Sequence, residues 1–353
     1  MGNSGKVIFS IVFIGIVLVF LPKIFGIIGG ATGGPSLTGS VTKTLAKSTE
    51  GRKGIIAISY NGGDDFEESQ VHTGTQPQIL VLDTYQRFYI AGTNNGLLVS
   101  RDGGLNWHQL SDLEKNIDTG TVIYDFAKGP GGALYMAAFK SNHGVLYVTN
   151  DNFFTVTNIW EELKIPVVSL ISDNAYLYMG LDDGRLLRYS FSDETYEKMN
   201  TFPSGIQEIS FIHGSLFVTL KNGGLYEDNG TRNKFTKVST PGSGFFGSQS
   251  TQRLTSDIYN QSSLYITSQN GVYRSDSNGS AWSAINSILS SKAQVSSLSV
   301  SGGLIYLTSE AKFYKSEDSG KTWTVSEPMA TNLKYGTIFT ENAGRTVIVG
   351  TRK

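Results

Sequence analysis

Cysteine is absent from all 353 residues. This excludes a disulfide framework, a thiolate nucleophile and any Cys-ligated metal. Histidine is scarce. His72, His108, His143 and His213 are widely separated and lack metal-ligand spacing, so neither a zinc site nor a histidine-activated nucleophile is expected. No calcium loop of the EF-hand type occurs. Charge of one sign is also missing: 29 basic and 30 acidic residues leave a net charge of −1, with no long run of either. Electrostatic capture of nucleic acid therefore has no footing. The expectation is a chain without metal or cofactor.

What is present is a repeat. Apolar pairs recur at Phe88-Tyr89, Leu134-Tyr135, Leu177-Tyr178, Leu216-Phe217, Leu264-Tyr265, Ile305-Tyr306 and Val347-Ile348, in steps of 46, 43, 39, 48, 41 and 42 residues. A period near 43 made of strand-like segments, with no helical stretches between them, predicts an all-β propeller. Forty-one glycines, 19 Phe and 17 Tyr suit short strands joined by tight turns. Blade two reads as strands Gln78–Leu82, Arg87–Ala91, Gly96–Val99 and Trp107–Leu110. Blade six repeats the order in Arg253–Ile258, Leu264–Thr267, Gly271–Arg274 and Trp282–Ile285. Asn95-Gly96, Asp183-Gly184, Asn222-Gly223 and Asn270-Gly271 supply the hairpin turns between second and third strands.

Between third and fourth strands a sharper motif appears. Ser100, Asp102, Gly104 and Trp107 share the frame Ser-x-Asp-x-Gly-x-x-Trp with Ser316, Asp318, Gly320 and Trp323. Degenerate copies include Asn61 and Gly63 in one, Gly279 and Trp282 in another, and a weaker one begins at Thr149. A short carboxylate and a hydroxyl can bond the turn's own N–H groups, Gly takes a conformation other residues avoid, and the Trp can pack between sheets. These residues are expected to be structural. The frame resembles the Asp-box, or bacterial neuraminidase repeat, of sialidases, sortilin-type receptors, xyloglucanases and photosystem II assembly factors.

Counting closes the ring. Tyr335–Thr340 and Arg345–Thr351 are first and second strands without partners. Gly54–Ser59 and Phe66–Val71 are a third and a fourth. Together they complete a split closing blade, giving seven in all and removing open edges.

Residues 7–21 are dominated by Val, Ile, Phe and Leu, Pro22 and Lys23 interrupt the run, and 24–28 resume its apolar character. At about 1.5 Å per residue in a helix they reach across a hydrocarbon core of about 30 Å. The expectation is a short tail (1–6), a single transmembrane anchor (7–28), a Gly/Ser/Thr-rich linker (29–51) and the propeller (52–353), held on the exported side of the membrane. A cleaved signal peptide ending near Gly29-Gly30-Ala31, and hence secretion, is the alternative.

Function is less legible, because propellers host many chemistries. No arginine is followed by Ile-Pro, the sialidase motif, and a single propeller lacks the two-propeller cleft of xyloglucanases. Asp64-Asp65, Glu161-Glu162 and Asp182-Asp183 are sequence neighbours, which in a strand point to opposite faces. No catalytic residue is assigned. Residues 52–353 resemble the seven-bladed photosystem II assembly-factor propellers in blade count, box frame and size. That resemblance implies a non-catalytic scaffold for a protein or glycan partner, with a carbohydrate-active hydrolase as the alternative. Phe245 and Phe246, in the uneven connection Ser239–Thr251 on the rim opposite the boxes, are the candidate partner contact; the rival role is a local plug of the channel.

Overall fold

The computed structural model describes residues 51–352 apart from 111–116, 229, 231–233, 239, 241–250, 258–262, 269–270, 286–288, 290–294, 330–331 and 342. The chain divides into units Met1–Lys47 and Ser48–Lys353, and the account below concerns the second. The anchor, most of the linker, and Phe245 and Phe246 lie outside the described residues. Among the described residues no helix is long and apolar enough to cross a membrane.

Seven sheets form, each built on four antiparallel strands. Blade one is split: Lys334–Glu341 and Thr346–Arg352 are its first and second strands, and Ile56–Ser59 and Glu67–Glu68 its third and fourth. Blade two comprises Ile79–Tyr85, Phe88–Thr93, Gly96–Ser100 and Asn106–Gln109. Blades three to seven span 122–163, 167–201, 206–238, 251–284 and 295–326. Each of the seven apolar pairs falls in a second strand. Such a strand packs against a neighbouring blade on both faces, so adjacent side chains are both buried; Leu177 and Tyr178 are 0% and 1% exposed.

The expected strand Phe66–Val71 is in fact two. Glu67–Glu68 pairs with blade one, whereas Gln70–His72 runs parallel to Asn106–Gln109 as a fifth strand of blade two. The buried Ser69 makes the break. Its N–H bonds the Ile56 carbonyl in one blade, and its Oγ donates to the Gly104 carbonyl in the next at 2.6 Å. The segment therefore laces the closing seam to its neighbour.

The opposite side of that seam is tied as well. Lys315 Nζ, on blade seven, lies 2.7 Å from Asp64 Oδ1 and 2.7 Å from Glu317 Oε1. Tyr306 Oη donates to the Gly344 carbonyl at 2.9 Å.

Candidate functional site: the waist of the central channel

The box turns share one hydrogen-bond circuit. Ser100 Oγ donates to Asp102 Oδ1 and accepts the Gly104 N–H, while Asp102 Oδ1 accepts the Asn106 N–H at 2.9 Å. Ser316 and Asp318 repeat it with the N–H groups of Gly320 and Thr322, and Ser59 and Asn61 with those of Gly63 and Asp65. Ser275 bonds Gly279 in the same way. The Thr322 hydroxyl and N–H hold the Asp318 carboxyl down at about 2. Gly104 has φ +101°, and a Cβ there would lie 2.6 Å from Ile58 Cδ1, so only glycine fits.

Every described box presses a ring onto the preceding blade. Trp107, 0% exposed, packs with Ile55, Ile56 and Ile58. Trp323 and Trp282 are only partly buried, against Ile285 and Val238. Phe66 meets Phe313 edge-on at 5.0 Å. In the weakest copy Phe153 occupies the glycine position, with φ +70°, and reaches Tyr85 of blade two from there. These groups are committed to the fold.

The first strands, around the channel, carry a second repeat. All seven have a bulge at one level, between Ile79 and Val81, Ile123 and Asp125, Val167 and Ser169, Ile206 and Glu208, Thr251 and Arg253, Val295 and Ser297, and Tyr335 and Thr337. A bulge leaves a residue out of the ladder and sharpens the twist, which frees backbone N–H groups facing the next blade. The residue after the bulge supplies the acceptor. Asp125 Oδ2 accepts the Leu170 N–H at 2.7 Å, Ser169 Oγ the Ile209 N–H at 3.0 Å, and Ser297 Oγ the Ile338 N–H at 3.1 Å. At Glu208 burial outweighs the Leu254 N–H, which likewise acts to lower the carboxyl's pKa. Val81 cannot accept, and the facing Phe126 N–H turns instead to Asp125 Oδ1 at 2.9 Å.

Arg253 breaks this belt in another way. A guanidinium only donates, so it cannot clamp the next blade. It sits with Asp125 and Glu208 where two parts of the channel meet. Toward the box rim is a cavity of about 350 Å³ walled by Leu170, Ile209, Phe211, Leu254 and Leu298. Toward the other rim is a polar space of about 80 Å³ lined by Tyr124 and Gln207. Burial pushes the Glu208 carboxyl up to about 7 and the Asp125 carboxyl up to about 6, with the Arg253 charge opposing both. Glu208 is half-buried as a residue, yet its Oε2 is sealed and has no hydrogen-bond partner. The pKa of Arg352 is lowered, by burial first and then by the charge of Arg253.

These shifts set a pH dependence. A carboxyl whose pKa rises on folding holds its proton more tightly in the folded chain. Its stabilising effect is full below the unfolded value and is lost as pH climbs to the folded one. For Glu208 that window runs from 4.5 to about 7, and for Asp125 from 3.8 to about 6. Glu208→Gln is expected to flatten the fall in stability between about pH 5 and pH 8. Denaturant midpoints across that range check it, and a slope equal to the parent's would refute it.

Two histidines distant in sequence come together. His72 and His108 stack with ring centroids 4.5 Å apart, and His72 Nε2 is 3.1 Å from Asn106 Oδ1. The parallel strand that places His72 there has no signature in residue spacing. Among the described residues no group of three His, Cys, Asp or Glu side chains could hold a metal ion. Exposed aromatics also gather on the box rim. Phe154 is 78% and Phe211 36% exposed, and Tyr60, 49% exposed, donates to the Gly103 carbonyl.

The blades and the split closure define an all-β, seven-bladed propeller. No sequence family matches the chain, and no curated protein sequence does. Among solved structures it is similar to YCF48 bound to D1 peptide, with TM-score 0.62 and 12% identity over 79% of this chain and 94% of that one. YCF48 from Cyanidioschyzon merolae gives TM-score 0.60 and 12% identity, with coverage of 79% and 96%. The extracellular domain of the putative one-component system BT4673 from B. thetaiotaomicron gives 0.63 and 15% over 78% of this chain. The match spans only 39% of the BT4673 structure's length. At these identities the likeness is one of fold.

Proposed function

We propose that the chain is a membrane-tethered, exported propeller that binds another protein as a non-catalytic scaffold. The observation that carries this reading is the likeness, over nearly the full length of the other chain, to a propeller solved with a bound peptide. The polar groups of the boxes are consumed by their own turns. Of the channel carboxylates a hydrolase reading would use, Asp125 accepts the N–H groups of Leu170 and Phe126 and so clamps a neighbouring blade. The apolar stretch 7–28 supplies the tether, and the connection 239–251 with Phe245 and Phe246 the contact.

Photo-crosslinking in the native membrane tests this, with the reactive side chain placed at position 245 or, on the box rim, at 154. The expected result is one protein adduct from 245 and none from 154. An adduct from 154 alone moves the contact to the box rim. Absence of any protein adduct from either position overturns the scaffold reading.

A further inference from the structure

We propose that Asn278 is a site of N-linked glycosylation, its carboxamide taking an oligosaccharide on the box rim of blade six. The inference rests on the exported placement proposed above and adds a covalent modification to it. The triplet Asn-x-Ser/Thr, the acceptor for such transfer, occurs three times in the sequence, at 229–231, 260–262 and 278–280. By chain order the first stands between the third and fourth strands of blade five, Leu225–Asp228 and Phe235–Val238. The second stands between the first and second strands of blade six, Thr251–Ser256 and Leu264–Ser268. The third is in the blade-six box. All three thus belong to connections of one rim, over two adjoining blades. Only the third lies wholly within the described residues, and the proposal is confined to it.

The fold leaves both ends of this triplet unused. Asn278 precedes the box glycine, at the place held by Gly62, Gly103, Asn152 and Ser319 in other boxes. Every one of these has positive φ, 52° at Asn278, a conformation that Gly and Asn tolerate best. That conformation accounts for an Asn at 278 but not for a Ser at 280. The corresponding residues elsewhere are Asp64, Leu105, Phe154 and Lys321, so the box turn constrains nothing there. Ser275 and Ser277 close the turn by accepting the Gly279 and Ala281 N–H groups. Ser280 is exposed, and its hydroxyl bonds no described residue.

Asn278 is exposed as well. His213 Nδ1, from the first-to-second turn of blade five, donates to its Oδ1 at 3.3 Å. The carboxamide nitrogen, the atom that takes the sugar, bonds no described residue. Asp276, Ser277 and Ala281 around it are exposed, and a Cβ at Gly214 or Gly230 would meet nothing within 4 Å. A bulky polar substituent there costs the fold no buried contact. In the transfer Nδ2 forms a bond to the anomeric carbon of an oligosaccharide carried on a polyprenyl phosphate. The bond from that carbon to the phosphate oxygen breaks, the polyprenyl phosphate leaves with the electron pair, and the nitrogen loses one proton. The sugar then shades blades five and six on the box rim and leaves the opposite rim to the partner.

Mass spectrometry of peptides from the full chain, isolated from the membranes of the cells that make it, tests the proposal. The peptide holding Asn278 is expected to carry an oligosaccharide. Ser280→Ala and Asn278→Gln are expected to lose it completely, and Ser280→Thr to keep it. Ser280 lies outside the box circuit, so Ser280→Ala decides even where Asn278→Gln fails to fold. A membrane-impermeant lysine reagent applied to intact cells reports export separately. Unmodified Asn278 in the parent overturns the proposal; lysine labelling of the propeller then leaves the exported reading standing, and its absence removes both. A glycan retained at Asn278 in Ser280→Ala also overturns it, because attachment would not depend on the triplet.

Discussion

Deleting residues 345–353 is expected to abolish cooperative folding. The deletion removes Thr346–Arg352, the second strand of the closing blade, which lies between Ile56–Ser59 and Lys334–Glu341. Residues 346–351 are all buried. Ile348 packs in the cluster that holds Trp107, and Val347 and Val349 in the one that holds Tyr306, Phe313 and Tyr335. Three fully buried branched side chains, at about 1.5–3 kcal/mol each, already approach the whole stability of a typical domain of about 5–15 kcal/mol. The ladder partners on both flanks would also be stripped, exposing two edges prone to aggregation. Calorimetry and size-exclusion chromatography check this. A truncated chain that melts as one transition at the parent's temperature would show that the ring is not closed by this strand.

The second large effect is at Trp107. Trp107→Ala is expected to destabilise by about 3–5 kcal/mol, the range for truncating a large buried aromatic. Its indole is fully enclosed between blades one and two, among Ile55, Ile56, Ile58, Ile79 and Leu98. Its Nε1 donates to the Gly104 carbonyl at 2.9 Å, which ties the ring to its own box. Trp323→Ala should cost less. Trp323 is partly exposed, although its Nε1 is shared between the carbonyls of Ile285 and Gly320. Urea unfolding of the two variants under one condition checks both the size and the order. Equal losses would mean that interblade burial does not set the cost.

The boxes and the repeat were legible because both are local. A Ser-x-Asp-x-Gly-x-x-Trp turn closes its hydrogen bonds within five residues, and the apolar pairs mark strands buried on both faces. Phe153 was harder to read, since it does from the glycine position what Trp107 does three residues later in its own box. The waist left almost no trace. Asp125, Ser169, Glu208, Arg253 and Ser297 keep the blade period, in steps of 44, 39, 45 and 44, but mix carboxylates, hydroxyls and a guanidinium, so no residue pattern marks them. Their common feature is a bulge, and a bulge follows from how each first strand meets its neighbours.

By itself, then, the sequence determined the number of blades, the split closure and the turns that bound each sheet. The turns rest on contacts between residues close in the chain, and the blade number and closure on the repetition of one strand pattern along it. Tertiary structure alone decided which side chains of different blades meet. Closing the ring brings Asp125, Glu208 and Arg253, more than 40 residues apart in steps, to one level of the channel. It also lays His72 on His108 and turns the segment after Ser69 onto the next blade. Such meetings depend on the radius and twist of the closed ring, a property of all seven sheets together and of no single stretch of chain.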